Sequence, residues 1–547
     1  MLNHFRLSAA PLDRTVENIL RWQVTDEADP LCGAVADVAR GYTEPTAGMY
    51  HAASLITAYY HPLSAHRGEA ELLRRALLGA RFTLRRQHAD GTLDLMETNF
   101  HDPTYVAFCI HQIGPAYKLL LRESRGTAEE TTLAQAVTEF MRRGGDAMVE
   151  GGFHTPNHRW VVSGALSYCY TTLGDERYRA HIGRFLNEGI DCDENGEFTE
   201  RSAGIYNITC DRALIMIAEE LSMPELYAHV ERNLRMVTTY MEPDFTVNTM
   251  NSTRQDFGRG ASAAAYYEPY LVMARRTHDP VFARLADEMA QAGASCSPVR
   301  MLLDPSWQTG WEEIPTRAPE TEYRRFYEES GVVRERIGAA ALTLVRARPN
   351  FARLQVRGRS IGFRFAGSFF GEKGQFAPQT LTRDGDGWVM RYTARADYRR
   401  PLAEAPSSPL WKDMDHAKRA RVGEQTYDVS IRFALTDGAL TVCADACTAD
   451  GACANVPCKL ELLMEPGGLY ESAASLTRAK PGQYEFQKAG AASVTYNDHT
   501  RFRIVGGFAA HTYAESMRGS IFADAKAFTV CMTDFTPFSH EIRIEYE

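Results

Sequence analysis

The sequence predicts an α+β chain of two large domains, an N-terminal (α/α) toroid over residues 1–300 and a C-terminal antiparallel β-sandwich over residues 320–547. Residues 301–319 join them as a linker. Three observations carry that prediction. Apolar residues recur at helical spacing almost without interruption from about residue 14 to 295. From Tyr323 onward they recur instead in short alternating, β-rich runs separated by turns such as Asp384-Gly385-Asp386-Gly387. A chain of 547 residues also exceeds one compact domain.

The helical segments fall near 14–23, 48–62, 68–87, 103–122, 128–149, 157–172, 176–189, 203–221, 223–240, 260–276 and 279–293. Short loops rich in Gly, Pro, Asp and Asn join them, so neighbouring helices run antiparallel. No fixed-length repeat is evident, which argues against a regular solenoid. Hairpins of this kind closed into a ring give an (α/α) toroid. The longest polar loops, Asp94 to Pro103, Gly151 to Pro156, Asp191 to Gly204 and Asp244 to Gly260, come roughly every other helix. That spacing places them on one face. In the second half the β-rich runs include Gly331 to Ile337, Ala341 to Arg346, Ile361 to Phe365, Trp388 to Thr393, Tyr427 to Leu435, Cys458 to Met464 and Ala527 to Met532. Arg399 to Arg421, with Pro401, Pro406 and Pro409, forms an irregular excursion.

Composition narrows the function classes. Apolar content of 44% and charged content of 24% are those of a globular protein. A net charge of −10, with no basic run, argues against non-specific nucleic-acid binding. No stretch approaches the roughly 20 apolar residues of a membrane span, and Met1 to Arg6 lacks the apolar core of a signal peptide, so a cytoplasmic protein is expected. Eleven cysteines, several in apolar helical patterns (Cys109, Cys169, Cys210), fit reduced, buried thiols. Cys443, Cys447, Cys453 and Cys458 lack paired Cys-x-x-Cys knuckles and do not read as a zinc site.

Two stretches concentrate the candidate chemistry. Gly151-Gly152-Phe153-His154-Thr155-Pro156-Asn157-His158-Arg159-Trp160 offers Thr155 as an N-cap and Pro156 at the first helical position, with Asn157 and His158 in the first turn. Glu197-Phe198-Thr199-Glu200-Arg201-Ser202-Ala203-Gly204-Ile205-Tyr206-Asn207 leads into another helix opened by Tyr206. Two helix N-termini converging on one pocket favour an anionic ligand, and an acidic sugar is the expected one. The loop before residue 103 adds Asn99, His101 and Asp102, although Asp102 also suits a helix cap before Pro103. The loop Asn248 to Gly260 adds Arg254, equally suited to a sugar carboxylate or to a structural salt bridge. Trp160 is a candidate stacking platform or a core residue.

This inventory suits proton abstraction alpha to a uronate carboxylate, once Asn157 and a donor or protonated His158 neutralise that carboxylate by hydrogen bonding. A tyrosine can then move the proton. Its unperturbed pKa of about 10 has to fall under a neighbouring positive charge, for which Arg201 and His158 are the sequence candidates. Such a β-elimination requires no cofactor, and a structural divalent metal in the β-domain stays open.

The helical array followed by a β-sandwich, the Asn157-His158 pair at a helix start and Tyr206 after the Glu197 to Ser202 loop resemble the heparinase II/III-like polysaccharide lyases and the related alginate lyases. The resemblance implies that Asn157 and His158 neutralise the uronate and that Tyr206 carries the proton, often with a second histidine. Leu354 to Phe363, where a sandwich histidine would fall, carries none; His154 or His101 is left for that part. His416, His499 and His511 lack a matching context. Asn99, His101, Trp160, Glu200, Arg201 and Arg254 are the candidate substrate contacts. The partner expected is an acidic oligosaccharide, imported and attacked exolytically; pairing as a homodimer is decided by no residue pattern. Two other classes compete. One is a glycoside hydrolase on the same toroid using two carboxylates drawn from Asp102, Glu200 and Asp256. The other is a non-catalytic carbohydrate-binding protein, which would tolerate Tyr206→Phe.

Overall fold

The computed structural model describes the chain except for residues 36–39, 449–454, 514–516, 519 and 522–523. The chain divides into two units. The first holds residues 1–238 and 247–319, the second 239–246 and 320–547.

The first unit is helical: α1 (His4–Trp22), α2 (Ala47–Tyr60), α3 (Ala70–Arg86), α4 (Pro103–Glu123), α5 (Ala128–Glu150), α6 (Pro156–Leu173), α7 (Glu176–Asn187), α8 (Tyr206–Glu220), α9 (Tyr227–Tyr240, whose last two residues go with the second unit), α10 (Tyr267–Thr277), α11 (Pro280–Gln291) and the short α12 (Val299–Leu303). Helix starts follow local rules. Asp102 caps α4, accepting from the Thr104 N–H at 2.7 Å ahead of Pro103. Thr127 and Glu130 form a capping box on α5. The helices lie in two rows: α2, α4, α6, α8 and α10 pack side by side in that order, while α3, α5 and α7 back them. The series returns on itself, because α1 packs on α2 and His4 near its start bonds Tyr267 of α10 and Asp287 of α11, each at 2.8 Å. Alternate helices run the same way, so the loops entering α4, α6 and α8 share one end.

α1 begins ten residues before the predicted start. It runs through Pro11, and its first turns bury His4 and Ser8, polar residues satisfied by distant partners and by the Phe5 carbonyl. The stretch predicted as a linker is not free. Trp311 and Ile314 are buried in the first unit, the Trp311 ring lies edge-on to His4 at 5.4 Å, and the Met1 ammonium donates to the Ile314 carbonyl.

The second unit carries two large sheets. The nine-stranded sheet is antiparallel and places, in order, 380–384, 387–399, 421–436, 439–448, 538–546, 501–505, 491–495, 469–472 and 476–478. The eight-stranded sheet places 484–486, 528–535, 457–464, 359–367, 352–356, 340–345, 332–337 and 322–327, with only 484–486 and 528–535 parallel. One core draws on both sheets: Val429, Ile431, Phe433 and Leu435 alternate inward along 421–436, and Phe363 of the other sheet meets Phe433 edge-on at 5.4 Å. On the opposite face of the eight-stranded sheet Arg364 pairs Glu461 directly across the strands at 2.8 Å. The buried Arg334 guanidinium grips Glu242 by two bonds of 2.9 Å, which ties the 239–246 segment to this unit. Of the cysteines weighed as a zinc set, Cys453 lies outside the described residues, and the buried Cys458 thiol meets the Tyr427 hydroxyl at 3.3 Å. Among the described residues no group of three or more His, Cys, Asp or Glu is arranged to hold a metal, and no helix is long and apolar enough to cross a membrane.

Candidate active site

The site lies at the shared end of α4, α6 and α8. α6 starts at Pro156 with Thr155 in the N-cap position, but the Thr155 side chain accepts no backbone hydrogen bond there. Its Oγ1 accepts from Asn157 Nδ2 at 3.2 Å. The same amide nitrogen donates to Glu200 Oε2 at 2.6 Å, beside the Asn157 backbone N–H at 3.2 Å. Both amide hydrogens of the buried Asn157 are therefore committed to protein acceptors, and only Oδ1 is left buried without a partner. This corrects its predicted role. As built, Asn157 clamps Glu200 and offers no hydrogen to a sugar carboxylate.

His158, the next residue, is largely buried, and that burial, then the adjacent His154 ring, pushes its imidazole down to about 4. Asp102 pulls the other way and Arg254 reinforces the depression. The ring is neutral near pH 7, with Nδ1 buried and unpaired. A second correction follows: His158 cannot be the positive charge beside Tyr206. Arg254 is. Its guanidinium lies 5.2 Å from the Tyr206 ring centre, and its Nε lies 3.3 Å from Glu200 Oε1. The predicted alternatives for Arg254, ligand binding or salt bridge, thus merge in one half-buried side chain. His154 is exposed and stands edge-on to His158 at 4.7 Å.

Tyr206 is the half-buried first residue of α8, its backbone N–H donating to Ser202 Oγ at 3.2 Å. Its phenolic oxygen accepts from Gln255 Nε2 at 2.6 Å. Arg201 turns the chain before it in a left-handed conformation, φ 51°, which lets its neighbours Glu200 and Ser202 both point inward. The loop 248–260 is fastened to this segment by Asp256, which accepts from Ser202 Oγ at 2.9 Å, Ser252 Oγ at 2.5 Å and the Gly204 N–H at 3.0 Å.

Other predicted contacts fall elsewhere. Trp160 has no exposed surface; it donates to Asp191 at 2.7 Å and packs in the core, so it is no sugar platform. His101 is exposed but bonded to Asp90 at 2.7 Å and stacked on His88 at 3.9 Å. Asn99 donates to Asp102 at 2.9 Å. The three carboxylates weighed for a hydrolase are all engaged: Asp102 by the α4 cap and Asn99, Glu200 by Asn157 and Arg254, Asp256 by its three donors. Sequence reasoning missed Gln255 and also Phe108, whose ring lies 6.4 Å from His158. Beyond Phe108 a chamber of about 1520 Å³ runs between α4, α6, α8 and α10. Several of its charges pair with one another: Lys118 with Glu220 at 2.7 Å, Arg212 with Glu268 at 3.1 Å, and Arg300 with both Glu219 and Glu268.

No family model and no curated protein sequence matches the chain. Solved structures do. Chondroitin AC lyase from Streptomyces coelicolor A3, in complex with chondroitin sulphate, aligns over 98% of this chain and 79% of its own at 12% identity, TM-score 0.52. Xanthan lyase from Paenibacillus aligns over 98% of this chain at 10% identity, TM-score 0.55. The chain spans only 56% of that enzyme. The chain shares its fold with these two lyases.

Proposed function

We propose that the protein is a polysaccharide lyase that cleaves a uronic-acid-containing oligosaccharide by β-elimination, with the helical unit as its (α/α) toroid and the two sheets as its β-sandwich. One observation carries this. Tyr206, the cationic Arg254 and the neutral His158 are gathered at two helix N-termini, while Asp102, Glu200 and Asp256 are all held in structural bonds. That set suits elimination better than hydrolysis, which needs two carboxylates free to act on sugar and water.

In this mechanism the substrate carboxylate meets the Arg254 guanidinium and the two helix ends, which lowers the cost of charge building on its alpha carbon. The bond from that carbon to hydrogen breaks, and its electron pair forms a double bond to the neighbouring ring carbon. The glycosidic oxygen leaves that carbon with its own electron pair and takes a proton. His158, free of charge, takes the proton from the alpha carbon, and Tyr206 gives its phenolic proton to the departing glycosidic oxygen. Asn157 acts through Glu200. The heparinase II/III-like assignment of Tyr206 as the proton carrier belongs to this proposal, whereas the direct contact of Asn157 with the uronate does not. So does exolytic attack on short imported oligosaccharides inside the cell, which a rapid viscosity loss on a long polymer would overturn.

The test is ultraviolet absorbance of an unsaturated uronate over a panel of uronate oligosaccharides. Tyr206→Phe is expected to lower kcat by about a thousandfold, within the range of a lost acid–base group. Reducing sugar released without that absorbance would overturn the lyase in favour of a hydrolase.

A further inference from the structure

The residues Arg254-Gln255-Asp256 hold the segment that carries Tyr206 at three successive points. Arg254 pairs Glu200 and lies over the Tyr206 ring. Asp256 binds Ser202 and the Gly204 N–H. Gln255, between these two anchors, has its amide nitrogen 2.6 Å from the phenolic oxygen. Because both neighbours are fastened to the same segment, the placement of the Gln255 backbone against Tyr206 is fixed independently of its own side chain. A short contact from an amide N–H to a phenol has one polarity: the nitrogen donates and the oxygen accepts.

We propose that Gln255 is the positioning residue of Tyr206. Its donated hydrogen bond occupies one lone pair of the phenolic oxygen and turns the phenol's own hydrogen away from the loop, towards the ligand. The inference rests on the lyase reading for what Tyr206 does, but not for the bond itself. When Tyr206 gives up its proton to the departing glycosidic oxygen, the negative charge left on the phenolate is met by the Gln255 N–H and faces the Arg254 guanidinium. No new partner has to be recruited at that moment, which is the condition for a preorganised site. The charged and titratable groups about this segment include Arg254 with Glu200 behind it, Asp256 on Ser202 and Gly204, and the neutral His158, which feels the Arg254 charge. Gln255 is the polar group whose removal changes the phenolic oxygen without changing any of those charges.

The experiment uses the full chain and compares the parent with Gln255→Leu, Gln255→Glu and Tyr206→Phe. Ultraviolet titration of the phenolate band needs no substrate, and the difference from Tyr206→Phe isolates this one phenol. Removing the donor is expected to move the Tyr206 phenolate signal to higher pH, and Gln255→Glu, which places an anion there, to move it further. On a cleaved oligosaccharide, Gln255→Leu is expected to lower kcat about tenfold, the scale of one hydrogen bond to a charged oxygen, while KM changes less than about twofold. An unchanged phenol titration in both variants, or a rise in KM with kcat intact, overturns the assignment. A shifted titration in a protein that cleaves no uronate would retain Gln255 as the partner of Tyr206 and remove the lyase reading instead.

Discussion

Glu200 is where the two polar loops depend on one side chain. Its carboxylate receives the Asn157 amide in a buried bond and the Arg254 guanidinium in a partly exposed one, Arg254 keeping about a third of its surface. The buried contact dominates, because an ion pair open to water contributes little while a charge-assisted bond out of water contributes about 1.5–3 kcal/mol. Glu200→Gln keeps an acceptor for Asn157 but removes the charge. It is expected to reduce stability by about 1–2 kcal/mol in urea unfolding, with kcat/KM falling about tenfold as Arg254 loses its anchor. Glu200→Ala, which leaves one side-chain amide hydrogen and the backbone N–H of Asn157 short of an acceptor, should cost more. Equal stability of the two variants would show that the Asn157 contact is not the dominant one. Residue roles of this kind were half legible. Asn157, His158, Tyr206 and Arg254 stood out because their types and their places at helix starts are chemically marked. Gln255 did not, since an uncharged amide in a loop acquires a role only through what another loop brings beside it. For the same reason Trp160 stayed open between core and sugar platform, since its burial depends on packing that sequence spacing does not encode.

At the scale of elements, the spacing of polar loops was informative because alternate helices in a run of hairpins must point the same way. The start of α6 at Pro156 agrees with the preference of proline for the first helical position and that of α8 at Tyr206 with the apolar period, although neither helix has a side-chain cap bond. What spacing could not supply is how the loops are fastened to each other. Asp256 does this for 197–207 and 248–260, accepting three hydrogen bonds on two oxygens. Oδ1 serves two hydroxyls, either of which can reverse and accept; Oδ2 serves the Gly204 N–H, which cannot. Asp256→Asn is thus expected to be tolerated with its amide nitrogen in the Oδ1 position, with a loss near 1 kcal/mol. Asp256→Ala leaves three donors unmatched and is expected to lose about 3 kcal/mol and to open the 248–260 loop to limited proteolysis. Equal damage from both substitutions would mean that charge, rather than acceptor number, holds the loop. The β-half was legible strand by strand where one face is apolar, as along 421–436. The buried Arg334–Glu242 pair was not legible, because a charged residue in a strand pattern reads as solvent-facing until its partner is known.

For the molecule as a whole, the histidines of the helical unit set how it responds to acid. Burial pushes His51, His111 and His158 each down to about 4, against an unfolded value near 6.5. Between those two values the unfolded chain binds protons that the folded chain refuses. The stability these neutral rings allow is therefore complete above pH 6.5 and falls as pH drops towards 4. Buried carboxyls oppose them: burial raises Glu219, and Asp211, with no surface exposed and no partner on either oxygen, is pushed by burial well above the usual carboxylate range. Its folded form holds a proton that the unfolded form has released above about 3.9, so it favours the folded state as pH falls. Burial lowers His61, His181 and His229 as well, so the refused protons outnumber the retained ones and the acid-labile direction is in control. The midpoint of thermal unfolding is expected to fall between pH 6.5 and 4.5, where many proteins are near their maximum. His111→Asn, which removes one of the refused protons, should flatten that slope even if it lowers the midpoint at pH 7, since its bond to the Val161 carbonyl is altered at every pH. A midpoint flat across that range, or a slope that His111→Asn leaves unchanged, would mean that these rings take up protons in the folded chain. In that case His158 would reach the site as a cation and share with Arg254 the charge that faces Tyr206.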